Sequence, residues 1–304
     1  MKVSLVDVDG HNYPNLALMK LSAWHKAQGD TVDWYSPLFS RPDRIYASKV
    51  FTFTPDYTEY AACDPEPIRG GTGYDVLSRL PAEAEAMLPD YSIYPQYSEA
   101  YGFLSRGCIR HCPWCVVPVK EGKIRPVADI EDVAGDRREV VLMDNNFLAN
   151  DESFVREQLE KMAQLKLRVD FNQGLDARLV NADNARLLAR VKWSKYIRFA
   201  CDTVETLSTV CRAMHLLAYA GYRKEFFVFI LAKDIESALF RIDILTNLAY
   251  KVSPFVQPYR DFLNGGKVIS EELKHFARWA NRKEVFWSCD WEEYKYNHAT
   301  EALA

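Results

Sequence analysis

The chain of 304 residues contains no apolar run approaching eighteen residues, so no segment of it reads as a membrane-spanning helix. It also lacks a basic excess: 38 Lys and Arg stand against 42 Asp and Glu, a formal charge of −4. A protein that grips nucleic acid through its phosphates usually carries a dense basic stripe. The best candidates here, residues 120–125 and Arg137-Arg138, are short, and nucleic acid is the less favoured partner. A secretory leader is not expected either, because the opening MKVSLVDVDG puts two aspartates where its apolar stretch would lie. Cysteine is sparse, odd in number at seven, and clustered, which suits a reducing cytoplasm and not a disulfide framework. A cytoplasmic protein with no membrane association is therefore expected. With 48% hydrophobic and 26% charged residues, the composition is that of an ordinary globular chain with a sizeable core.

The little cysteine there is sits largely in one place. Residues 101–118, YGFLSRGCIRHCPWCVVP, hold Cys108, Cys112 and Cys115, and Gly107 supplies a turn just before the first of them. Thiolates are soft ligands for zinc and for iron–sulfur clusters, and cysteines this close converge on one centre only if the backbone curls around it. Cys63, Cys201, Cys211 and Cys289 are scattered and read as small buried apolar residues. A closed zinc site wants four ligands, yet the next cysteine is Cys201, and His111 directly precedes Cys112 and would point away from the same centre. The ligand count favours a 4Fe-4S cluster on three cysteines with one open iron. The competing readings are a structural zinc knuckle and free thiols.

The C-x3-C-x2-C spacing, with the aromatic Trp114 just before its last cysteine, resembles the radical S-adenosylmethionine (radical SAM) enzymes, and the resemblance spans about residues 100–261. It implies that S-adenosylmethionine chelates the open iron and that one electron cleaves it to a 5′-deoxyadenosyl radical, which abstracts hydrogen from a substrate. It further implies a small-molecule or modified-metabolite substrate and an electron donor such as flavodoxin or ferredoxin.

Periodicity supports an α/β architecture in which a small Rossmann-like domain precedes a parallel, partial TIM-type barrel of six βα units. The expected division is residues 1–90, 91–264 and 265–304, the last a helical, aromatic extension with Trp279, Trp287, Trp291, Tyr294 and Tyr296. Strands are expected over residues 101–105, 139–143, 167–172, 196–201, 225–231 and 252–257. The intervening helices fall over 128–133, 152–164, 182–191, 204–220 and 235–248, with another over 271–280. Val204, Leu207, Cys211, Met214 and Ala218 recur at four- and three-residue steps, as do Ile235, Ala238, Ile242, Leu245 and Ala249. The runs FFVFIL (226–231) and VVLM (140–143) suit strands covered on both faces.

Within the first domain, strands over 3–8, 31–35 and 44–52 alternate with a helix over 15–28 that Pro14 starts and Gly29 stops. This segment resembles the cobalamin-binding-like domains that precede many radical SAM cores. Asp9-Gly10-His11 falls where a histidine-ligand motif would lie, and Gly70-Gly71 where a nucleotide tail would approach. Because Pro14 replaces the final glycine of that motif, the favoured reading is a cobalamin-free domain. The alternative is a cobalamin-dependent radical SAM methyltransferase.

Parallel α/β folds place ligands at the carboxyl ends of their strands. That rule picks out Asp144, Asn145 and Asn146 after the second core strand, where the family contacts the methionyl amino group; an Asx turn would look the same. It also picks out Gln173 and Arg178 after the third strand, the latter a fork for a carboxylate. Asp202 follows the fourth, as a ribose contact or as the first member of a capping pair with Glu205. Lys233 and Asp234, then Gln257, Tyr259 and Arg260, end the last two strands and are the expected substrate contacts.

Overall fold

The computed structural model describes residues 1–10, 12–260 and 269–295; His11, Tyr296 and the 264/265 boundary lie outside the described residues. The chain forms two units, one of Met1–Gly102 with Gly135–Arg137, the other of Phe103–Ala134 with Arg138–Ala304.

In the first unit, β1 (Lys2–Asp7), β2 (Thr31–Trp34), β3 (Arg44–Ser48) and β4 (Ile68–Gly70) make a parallel sheet in the order β2-β1-β3-β4. Helix α1 (Leu16–Ala27) starts at Asn15, whose side-chain oxygen accepts the Leu18 N–H at 3.2 Å. It buries Leu18, Met19 and Leu21 in one cluster with Val3, Leu5 and Val32. Only the β1–β2 connection carries a full helix. The β2–β3 and β3–β4 connections hold Pro37, Pro42, Pro55 and Pro65, which cannot donate to a helical ladder, and they run irregularly. A short helix, α2 (Ala82–Glu85), and β5 (Ala100–Gly102) complete this unit. Arg137 also belongs to it: its guanidinium lies 3.7 Å over the Tyr91 ring and donates to the carbonyls of Tyr97 and Glu99.

The second unit begins with β6 (Ser105–Arg106), paired antiparallel with β7 (Arg125–Pro126), and the cysteine loop and α3 (Val117–Lys120) lie between them. The single strand expected over 101–105 is therefore broken. At the break the Asp144 carboxylate takes the N–H groups of Leu104 and Ser105. After α4 (Ile130–Ala134), the strands β8 (Glu139–Leu142), β9 (Arg168–Phe171) and β10 (Lys192–Trp193) pair in parallel, with α5 (Glu152–Gln164) and α6 (Ala182–Arg190) as connections. A second parallel ladder joins β11 (Ile197–Ala200), β12 (Phe226–Ala232) and β13 (Val252–Pro258) through α7 (Val204–Tyr219) and α8 (Ile235–Thr246). Between the two ladders the described residues show one isolated bridge, Leu175 to Phe199, and the Arg198–Asp170 ion pair. The architecture is thus α/β with several parallel sheets, and β10 is a strand the sequence did not announce.

Two packing expectations change. In β12 only alternate residues, Phe226, Val228 and Ile230, are fully buried, while Phe227, Phe229 and Leu231 are half-covered. One face meets the helices; the other carries an aromatic layer in which Phe227 and Phe255 lie 5.5 Å apart. In α7 the buried stripe is Leu207, Val210, Ala213, Met214 and Leu217, so Val204 stands exposed at the first turn and Cys211 lies at the stripe's margin. The helix α9 (Glu271–Asn281) buries Phe276 and Trp279 and is followed by α10 (Lys283–Phe286). Asn281 accepts from Val256 N at 2.7 Å and donates to Val256 O at 2.9 Å, closing the free edge of β13. Trp291 and Tyr294 are buried, while Trp287 is exposed.

Candidate active site

Three consecutive side chains after β8 hold the cysteine loop. Asp144, buried, accepts from Leu104 N at 3.0 Å and from Ser105 N and Oγ at 2.7 Å. Asn145 accepts from Gly107 N at 3.0 Å, and Asn146 donates its Nδ2 to the sulfur of Cys108 at 3.3 Å. Burial pushes the Asp144 carboxyl up to about 6, against the pull of the Ser105 and Leu104 donors. Gly107 is where the backbone demands glycine: its φ is +89°, and an added Cβ would stand 2.2 Å from the Lys123 carbonyl oxygen. The residues expected to touch a cofactor amine are therefore spent in part on the loop itself. Both Asp144 oxygens accept bonds from the segment leading into the loop, so Asp144 holds that segment in place.

Asn146 differs from its two neighbours. Its Nδ2 also donates to Asp176 Oδ2 at 3.2 Å, while its buried Oδ1 has no hydrogen-bond partner among the described residues. Asp176 in turn binds Arg110 Nε at 3.0 Å and Arg178 Nε at 2.6 Å. Burial raises the Asp176 pKa, but hydrogen bonds from Arg178 and Arg110 outweigh it and hold the carboxyl below its usual range.

Arg110, Asp176 and Arg178 border a cleft of about 370 Å³, lined also by Cys112, Trp114 and Asp202. Asp202 is not the helix cap: Thr203 begins α7 in a reciprocal pair with Thr206, because Thr203 and not Asp202 is the residue preceding the first helical turn. The Asp202 carboxyl instead accepts from the Trp114 side chain. Burial raises its pKa, offset by that bond and by Arg241 and Arg178. Gln173 lies apart from this group, exposed and bonded to Asn172 at 3.0 Å. Lys233 sits over the Trp114 ring at 4.9 Å and the Tyr259 ring at 5.2 Å.

Arg241 was not legible as a site residue. It is 2% exposed, and its guanidinium donates to the carbonyls of Cys201, Leu231 and Ser237, tying the ends of β11 and β12 beside Asp202. The only signal in the sequence was an arginine one residue before Ile242 on the apolar stripe of α8.

The three thiols share one loop, and burial pushes Cys112 and Cys115 upward, with a further rise from the neighbouring thiols. Among the described residues no three His, Cys, Asp or Glu side chains already form a ligand set for a metal ion. The donor chemistry nevertheless fits a cluster. Three soft sulfurs on a glycine-hinged loop suit a shared soft cation.

No protein-family model matches the chain, and neither does any curated protein. A solved structure with a distant likeness is the crystal structure of methylornithine synthase (PylB), at 13% identity and a TM-score of 0.39, covering 70% of this chain and 72% of that one.

Proposed function

We propose that the chain is a radical SAM enzyme in which Cys108, Cys112 and Cys115 hold a 4Fe-4S cluster and the adjoining cleft takes S-adenosylmethionine. The observation that carries this reading is the clamp of Asp144, Asn145 and Asn146 on the cysteine loop, which sets Cys108 beside a buried, unpartnered acceptor. Bound there, the cluster supplies the electron for reductive cleavage of S-adenosylmethionine. The protein's own residues bind and orient. Asn146 Oδ1 is an acceptor suited to an ammonium group, and Arg178, whose Nε and Nη2 hold Asp176, has its Nη1 left to donate to a carboxylate. Asp202, oriented by Trp114, is an acceptor for hydroxyls. Lys233 stands at the end of β12, where a substrate would enter. In this reading the two parallel ladders form an open barrel of the family's kind, the substrate is a small or modified metabolite, and flavodoxin or ferredoxin supplies electrons in the cytoplasm.

The cobalamin-dependent alternative draws less support. Gly71 has φ +95°, and a Cβ there would stand 2.3 Å from the Lys49 carbonyl oxygen, so its glycine is accounted for by close packing without a nucleotide. Asp9 is bonded to Val50 N and, at 2.6 Å, to Thr54 Oγ1.

The test is anaerobic reconstitution with iron and sulfide, followed by reduction and addition of S-adenosylmethionine. The expected results are four irons per chain and release of 5′-deoxyadenosine. A protein that binds one zinc tightly and never holds four irons is a structural metal protein, and the enzymatic reading then fails.

A further inference from the structure

At the amino-terminal ends of β9 and β12, away from the cysteine loop, lies a second cleft of about 500 Å³ whose lining is basic and contains no acidic residue. Arg168, Arg190, Lys192, Arg223 and Lys224 line it, with the buried Trp193 among them. They come from three separate stretches of sequence, so no basic run in the chain announces the site. Its volume is within the usual range for ligand sites, about 300–1,000 Å³.

Cations gather at helix carboxyl ends for a plain structural reason, and both α6 and α7 end at this cleft. Arg223 donates to the Ala218 carbonyl near the end of α7, and Lys224 donates to the Trp193 carbonyl at 2.6 Å. The magnitudes separate the two explanations. Each helix end is equivalent to roughly −0.5 charge, about −1 for the pair. Against this stand four cations, since among the described residues only Arg168 of the five has a carboxylate partner, Glu139 at 2.9 Å. About three positive charges remain after the helix ends are counted. In a chain of net charge −4 this is a local positive excess.

We propose that this cleft is a binding site for a phosphate-bearing ligand, either a single strand of nucleic acid or a free oligophosphate. The mixture of guanidinium forks and ammonium groups suits phosphate oxygens. The exposed Tyr219, two residues before the lining Gly221, offers a ring on which a base can stack if the ligand is a strand. The site is independent of the cysteine loop, and the proposal stands whether or not a cluster is bound.

The test uses the full-length protein, a short fluorescein-labelled single-stranded RNA followed by anisotropy, and inorganic tripolyphosphate followed by calorimetry. For three to four phosphate contacts, raising salt from about 50 to about 200 mM is expected to weaken RNA binding ~20- to 50-fold. The double variant Arg190→Gln/Lys192→Gln replaces two exposed side chains and should fold normally; it is expected to lower the salt slope by roughly 1.4. Arg223→Gln probes the same cleft from the α7 side. RNA binding that responds to these variants supports a strand as ligand. Tripolyphosphate binding alone, with the same response, supports a free oligophosphate. The proposal is overturned if neither probe binds, if binding is unchanged in both variants, or if the variants disturb only the binding of an acidic protein such as a flavodoxin.

Discussion

The side-chain nitrogen of Asn146 stands 3.3 Å from the sulfur of Cys108 and 3.2 Å from the carboxylate of Asp176, so one amide links the cysteine loop to the segment after β9. Partners of this kind around a ligand sulfur are typically worth 10–100-fold in metal affinity. Asn146→Asp sets a second carboxylate beside Asp176 and Cys108 and should lower iron retention at least ~10-fold. Asn146→Ala should have a smaller effect. Iron content after reconstitution and desalting measures both.

Replacing Cys108, Cys112 or Cys115 by alanine should abolish the proposed cluster, because two thiolates do not hold it. Replacing Cys63, Cys201, Cys211 or Cys289 should leave it intact. Wild-type iron content in Cys112→Ala would contradict the ligand assignment.

Gly107→Ala combines a left-handed backbone, φ +89°, with a Cβ 2.2 Å from the Lys123 carbonyl. A destabilisation of at least ~2 kcal/mol is expected, most of it at the loop. Thermal melts and iron content should fall together. A variant that melts like the wild type would mean that the turn is built another way.

In the first unit, Asp90 receives Lys26 Nζ at 2.7 Å, Ser22 Oγ at 2.6 Å and Ser92 N at 2.9 Å. Burial alone would raise its pKa, but these bonds outweigh it and hold the carboxyl at about 2. A depressed carboxyl contributes stability above its unfolded pKa, and that stability disappears as pH falls from about 4 to about 2. Asp90→Asn should therefore cost roughly 1–2 kcal/mol at pH 7, and the gap to wild type should close near pH 2. Melting curves at the two pH values test the sign.

Much of the fold was written locally. Residues 152–164 form the helix expected there, burying Val155, Leu159 and Met162, and the apolar runs before Asp144 and Lys233 are strands. What could not be read were relationships across long separations. An Asx residue after a strand looks alike whether it binds a ligand or, as Asp144 does, a backbone 39 residues earlier. Nor does a sequence disclose that Arg168, Lys192 and Arg223 share one cleft, or that Arg241 is buried to satisfy two strand-end carbonyls. Position relative to a strand end was legible; the partner that satisfies each polar atom was not.

The placement of Arg137 in the first unit has a consequence for the order in which the chain can be made. Tyr91, Tyr97 and Glu99 wait for a guanidinium encoded after the whole cysteine loop. On a ribosome the amino-terminal unit is thus incomplete until residues 103–134 have been synthesised and residues 135–137 have emerged. A fragment cut at Gly102 would leave the Tyr91 ring bare of its cation and the two carbonyls without their donor, and a clean excision of this unit must carry the returning segment with it.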